Sequence, residues 1–271
     1  MQKLSKRLQA AADLITQGSR IADVGTDHGF LPIYLVQSGR CPRAIAMDIR
    51  KGPLERAREH ILAAGLEKLI QIRLSDGMRE LSEGEADSVV IAGMGGLTVI
   101  HILEEAQEKL AGFQELILEP QSDIAKVRRY LREHYLCIDR EDLVYETGKF
   151  YPVLHMSIGK AEQEEACREN GQQVHRLLLE KLADEERVRG LLDRYGVCTI
   201  YGKHPVLRQM LERDEKRELG ILRELEKGLA ESGRKQRNAD AAGERKKEVE
   251  RRLEEVKTLM KIMQPETGNK F

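Results

Sequence analysis

Short apolar runs alternate with amphipathic stretches along the first 160 residues, and this alternation predicts βαβ units built around a mostly parallel sheet. Apolar runs place strands at residues 20–24, 43–48, 70–74, 88–92 and 115–118. Two further strands are expected at 136–144 and 149–158, close enough to form an antiparallel closing pair. Helical spacing predicts a leading helix over 3–16, with Leu4, Leu8, Ala11, Ala12 and Ile15 on one face. Helices at 30–38, 53–64, 97–110 and 124–133 fall between the strands. The expected fold class is therefore α/β, Rossmann-like, with a seven-stranded sheet whose last strand is antiparallel.

Past residue 160 the strand pattern stops. Residues 162–195 read as helix, and 196–204 as a break. A long helix should begin at Pro205, a residue suited to the first helical turn. Its apolar positions include Leu207, Met210, Leu211, Leu222, Leu225 and Leu229; those of a second helix are Val249, Leu253, Val256, Leu259, Met260 and Met263. Residues 232–243, rich in polar side chains and Gly, read as the turn between them. An isolated amphipathic helix is only marginally stable, so the two are expected to pair as an antiparallel coiled coil. The chain thus divides into an α/β domain over 1–160 and a helical domain over 161–271.

Composition adjusts this picture modestly. Charged residues make up 34% of the 271, yet the net charge is −1, so no global basic field advertises a polyanionic partner. The basic excess is local. Residues 1–22 hold four basic side chains against one acidic, and residues 205–263 hold sixteen against thirteen, with Arg234, Lys235 and Arg237 clustered at the expected turn. Trp is absent and aromatics are 4%, which argues against an aromatic base-stacking platform. The four cysteines, Cys41, Cys137, Cys167 and Cys198, lie far apart without a CxxC pair, so neither zinc, another metal nor a disulfide framework is expected. The polar amino terminus lacks a signal-peptide core, and no apolar run is long enough to span a membrane. A cytoplasmic protein, and a monomer, is expected.

The sharpest chemistry lies in IADVGTDHGF, residues 21–30. An apolar strand runs into Asp23, then Gly25, Asp27, His28 and Gly29, then a helix. Glycine in such a turn lets backbone approach a ligand closely. Dinucleotide enzymes place a pyrophosphate at this helix terminus, and two carboxylates would repel it. Those acids instead suit a cofactor bearing an ammonium and a sulfonium, as S-adenosylmethionine does. Asp48 ends the second strand, where a carboxylate can accept from both ribose hydroxyls. Asp76 and Gly77 follow the third strand, within reach of an adenine amine. Gly93, Met94 and Gly95 open a glycine-rich turn after the fourth strand, beside the place a transferred methyl would occupy. The polar run EPQS, 119–122, could line the same cleft, and no Cys in either loop offers a covalent thiol.

The loop DVGTDHG at 23–29, the turn GMGG at 93–96 and the run KFYP at 149–152 together resemble the bacterial TrmK family of tRNA (adenine-22-N1) methyltransferases, over residues 1–160. The resemblance implies a class I fold with S-adenosylmethionine as cofactor, tRNA as partner and a carboxy-terminal coiled coil. It implies methyl transfer to adenine N1, with Asp27 or His28 orienting the base amine and Met94 and Gly95 beside the acceptor. Cofactor contacts fall to Asp23, Gly25, Asp27, His28, Gly29, Asp48, Asp76, Gly77 and Gly93. Other readings stay open at this point: a methyltransferase for another RNA base or a small molecule, or a non-catalytic RNA-binding protein on the same fold.

Overall fold

The computed structural model describes residues 2–231 and 236–264. Among them the strands are β1 (Ile21–Val24), β2 (Ala44–Asp48), β3 (Ile70–Leu74), β4 (Ser88–Met94), β5 (Glu115–Pro120), β6 (Arg140–Glu146) and β7 (Lys149–Ser157). They form one sheet in the order β3-β2-β1-β4-β5-β7-β6. The first five are parallel, and β7 runs antiparallel between β5 and β6. β1, β2 and β5 are buried at every position, which explains their nearly unbroken apolar sequence.

Helices cover both faces. α1 (Lys6–Leu14), α2 (Phe30–Gln37) and α3 (Lys51–Ala63) bury Ala11, Leu35 and Ile61 against Ile21, Ala46 and Ile117. On the other face α4 (Gly96–Glu105), α5 (Gln107–Leu110) and α6 (Ile124–Glu133) bury Leu103, Leu110 and Leu131 against Ala22, Met47 and Leu116. The period-2 alternation of each strand thus feeds two separate cores. The helix expected over 97–110 is broken at Ala106, whose φ of −104° ends α4. The sixth strand starts at Arg140 because α6 closes through Tyr135 in the left-handed region (φ 58°), with the Leu136 N–H donating to the Leu131 carbonyl at 2.8 Å.

The molecule divides into two compact units, Met1–Gln172 and Gln173–Phe271, a division that falls within α7 (Ala161–Leu182) rather than at residue 160. The helix expected over 162–195 is two helices. Ala183 takes φ 52°, and Asp184 caps α8 (Glu185–Tyr195) by accepting from the Arg187 N–H at 3.1 Å. The expected break at 196–204 contains the short α9 (Val197–Tyr201). α10 (Pro205–Glu231) and α11 (Gln236–Ile262) pair antiparallel: Lys246 meets Glu226 at 3.0 Å and Arg252 meets Glu218 at 3.9 Å. Residues 236–243 are helical, not a turn, while 232–235, with Arg234 and Lys235, lie outside the described residues, as does the Arg237 side chain.

The cysteine reading needs correction. Cys137, just after α6, is disulfide-bonded to Cys167 on α7, with Cα atoms 6.4 Å apart, a separation a disulfide can bridge. Sequence spacing could not show this, since the fold alone returns the start of α7 to the connection before β6. Cys41 and Cys198 take no part in a disulfide among the described residues.

At the amino-terminal end of β5 a buried ionic network fastens the antiparallel strands. Glu115, 1% exposed, accepts from the Thr16 N–H (2.9 Å), the Thr16 and Ser88 hydroxyls (both 2.6 Å) and His155 Nε2 (2.9 Å). His155 Nδ1 donates to Asp139 at 2.5 Å. Burial alone would raise the Glu115 pKa, but these donors hold it at about 2. Burial likewise opposes the His155 charge, and Asp139 and Glu115 outweigh it, so His155 lies above its ordinary value.

Two outcomes follow. His155→Leu takes a donor from each of the two carboxylates and should cost about 3–5 kcal/mol in urea unfolding, since one partner of a buried ion pair is removed; an unchanged midpoint would show that the pair contributes nothing. Denatured without reductant, the protein should react with a thiol reagent only at Cys41 and Cys198. After reduction all four cysteines should react, and Cys137→Ser should lower stability by about 2–4 kcal/mol.

Candidate functional site

The four parallel strands β3, β2, β1 and β4 end side by side, and backbone hydrogen bonds stitch the loops that leave them. Gly25 and Thr26 N–H groups both donate to the Met47 carbonyl at 2.8 Å, tying the loop after β1 to β2. The Ser75 N–H donates to the Asp48 carbonyl at 3.0 Å, tying the end of β3 to β2. The Gln121 N–H donates to Met94 at 2.8 Å, tying the end of β5 to β4. Asp23, Gly25, Asp48 and Met94 therefore gather at one carboxyl edge, where open α/β sheets bind ligands.

The electrostatics of this edge are unusual. Asp23 is 6% exposed and accepts from Thr26, with no cationic partner among the described residues. Burial, and then the neighbouring Asp48, push its pKa up to about 6 against the help of Thr26. Asp48 is also buried; its Oδ1 accepts from the Arg50 N–H at 2.7 Å, with Arg50 Nε at 3.6 Å, while Oδ2 has no partner among the described residues. Two adjacent buried carboxylates, one lacking any cation among the described residues, form an acceptor set that fits a ligand carrying an ammonium and neighbouring hydroxyls. Asp76 stands apart in the turn after the edge strand β3, half-exposed and paired with Arg79 at 3.2 Å. It is positioned near the site but not drawn into the buried pair.

Asp27 points outward, and its Oδ1 accepts from Arg56 of α3 at 2.5 Å. That bond holds Asp27 below the usual carboxylate range despite some desolvation. His28 Nε2 lies 3.2 Å from Asp27, and its ring stacks on Phe30 with centroids 5.0 Å apart. His28 Nδ1 is buried with no hydrogen-bond partner among the described residues, so it is a polar atom available to a ligand. Gly29 caps α2 in the left-handed region, and a Cβ there would press to 3.2 Å on Ala57.

The glycine-rich turn after β4 is fixed from two sides. A Cβ on Gly25, whose φ is 84°, would stand 1.9 Å from Met94 Cε, so the Met94 side chain lies over the loop after β1. A Cβ on Gly96 would meet the Ser122 carbonyl at 2.3 Å, so only glycine lets α4 start against the end of β5. Gly95 caps α4, Gly77 packs on Ile102 and Gly93 takes φ 79°. The Gly93 N–H donates to Glu119 Oε2 at 2.8 Å, and Arg7 of α1 reaches the same oxygen at 2.9 Å. Glu119 is fully buried, its Oε1 has no hydrogen-bond partner among the described residues, and burial raises its pKa against the pull of Arg7. The sequence placed Glu119 at the cleft, but Arg7 and Arg56 carried no signal, since each pairs across a gap only the fold closes.

The methyltransferase-domain family model matches residues 4–154. The tRNA (adenine(22)-N(1))-methyltransferase of Bacillus subtilis is 42% identical over 158 residues, which cover 58% of this chain and 66%, just under two thirds, of that protein. The crystal structure of the Bacillus subtilis M1A22 tRNA methyltransferase TrmK matches 96% of this chain and 100% of its own, with a TM-score of 0.74 and 28% identity. A Streptococcus pneumoniae protein crystallised in complex with S-adenosyl-L-methionine matches 95% of this chain and 100% of its own, with a TM-score of 0.72 and 27% identity. With the family model spanning more than half its length, this chain belongs to the methyltransferase-domain family.

Proposed function

We propose that this protein transfers the methyl group of S-adenosylmethionine to N1 of adenine 22 in tRNA. The observation that carries the cofactor assignment is Asp23, buried without a cation beside Asp48. Asp23 would hold the amino-acid ammonium, Asp48 the ribose hydroxyls, and Asp76 with Gly77 the adenine ring. Gly25, Gly29 and Gly93 give close backbone approach. The bound cofactor supplies an electrophilic methyl group on a sulfonium.

The acceptor assignment rests on the likeness to the Bacillus subtilis enzyme and on the Gly93-Met94-Gly95 turn, a surface that a purine can approach closely. Adenine N1 is itself a lone-pair nucleophile, so placement can supply much of the rate without a strong base. Asp27, kept ionised by Arg56, and His28, with a free ring nitrogen, would orient the base amine. N1 lies on the pairing edge, so the base must leave its stack before reaction. No helix among the described residues is long and apolar enough to cross a membrane, which suits action on tRNA in the cytoplasm, and we expect a monomer.

Incubation with a tRNA pool and labelled cofactor, followed by mapping of the product, should place 1-methyladenine at position 22; a methyl group elsewhere, or none, overturns the reading. A second outcome concerns Asp23. Its folded pKa of about 6 lies above the ordinary 3.8 of an aspartate, so ionisation destabilises the free protein above pH 6 and does so no longer below about 4. The cost near neutral pH is on the order of 3 kcal/mol. Asp23→Asn should therefore leave the urea midpoint of the free protein unchanged or raised, while weakening cofactor affinity at least about tenfold in titration calorimetry. Wild-type affinity should fall as pH drops below 6. A variant that is destabilised yet binds normally would make Asp23 a structural residue.

A further inference from the structure

The helical unit holds an open groove of about 1140 Å³ between α7, α9 and α11, larger than the roughly 300–1,000 Å³ of a small-molecule pocket. Two apolar side chains stand exposed at it, Leu177 (37%) and Tyr201 (47%). Lys181, Lys203, Lys257 and Lys261 rim it, all exposed. None of the four has a carboxylate partner among the described residues, and Lys203 meets only the Gln264 carbonyl, at 3.3 Å. The two acids at the groove are already engaged elsewhere: Glu254 by Arg187 at 2.7 Å and Glu250 by Lys246 at 3.8 Å. This contrasts with much of the unit, where Arg189, Arg208, Arg217 and Arg252 all pair with nearby carboxylates.

We infer that this groove is a nucleic-acid site that grips the sugar-phosphate backbone of tRNA through Lys181, Lys203, Lys257 and Lys261 and stacks an unpaired base on Tyr201. Uncompensated lysines around one exposed ring are the combination that single-stranded RNA segments require: cations for phosphates and a flat face for a base. Lys257 and Lys261 lie one turn apart on one face of α11, about 6 Å along its axis, so both can reach one strand. The groove answers the aromatic scarcity noted from composition, because one well-placed tyrosine suffices where cations surround it. The inference rests on tRNA being the substrate.

The test compares wild type, the double variant Lys257→Gln with Lys261→Gln, Tyr201→Ala, and the control Lys227→Gln, whose lysine pairs with Glu224 away from the groove. Each is assayed as the full chain for tRNA binding over a salt series, for cofactor affinity and for methylation. The double variant should lose about tenfold in tRNA affinity at low salt, with a salt slope shallower by about 2. Tyr201→Ala should lose about fivefold or more with the slope unchanged. Both should keep wild-type cofactor affinity and kcat at saturating tRNA, and Lys227→Gln should behave as wild type. Wild-type tRNA affinity and slope in the groove variants, with methylation intact, would overturn the groove and leave the proposed reaction standing. Equal losses in Lys227→Gln would reduce the effect to general charge and also overturn it. Failure of the wild type to bind or methylate any tRNA would remove both readings.

Discussion

Glu115 and Asp23 are both buried carboxylates on the parallel strands, and the fold treats them in opposite ways. Glu115, at the amino-terminal end of β5, receives donors from the segment after α1, from β4 and from β7, including His155. Its desolvation is offset by bonds that only the folded state can make. Those bonds tie the antiparallel β7 to the parallel part of the sheet. Asp23, at the carboxyl end of β1, receives one hydroxyl and a second carboxylate for a neighbour. Burial is equal in kind; the partner set differs.

On the proposed reading, that asymmetry marks Asp23 as the residue that meets the cofactor's cation. Small domains hold about 5–15 kcal/mol of net stability, so an ionised Asp23 is a large penalty in the free protein. A ligand that brings a cation to Asp23 relieves the penalty on binding, and the protein is stabilised by the ligand in proportion. The network at Glu115 lies at the opposite end of the sheet and fastens β4, the neighbour of β1, through Ser88.

Much of this edge was legible in the sequence because its signals are local. Asp23, Gly25 and Gly29 sit within seven residues, and Asp48 ends the next apolar run, so strand text and turn chemistry place them without tertiary knowledge. Asp76 was placed correctly at the end of its strand, yet it pairs with Arg79 on the exposed edge, something strand order decides. What stayed hidden depends on long-range closure. Arg7 and Glu119 are separated by 112 residues, and Cys137 and Cys167 by 30; neither pair has a motif. The breaks at Ala106 and Ala183 were missed for another reason: the helical apolar pattern runs through both, and only the backbone turns aside.

The glycines show how the acceptor side is tied to the cofactor side. Met94 occupies the space a side chain at Gly25 would need, so the turn after β4 leans on the loop after β1. Gly96 lets α4 start against Ser122, which sets the same turn against the end of β5. Glu119 then pins Gly93 from below while Arg7 holds Glu119 from α1. A methyl donor seated by Asp23 and an acceptor seated at Gly93 to Gly95 would therefore be positioned by one connected set of contacts. In the proposed transfer, which needs placement more than acid–base help, that rigidity would itself be the catalytic contribution.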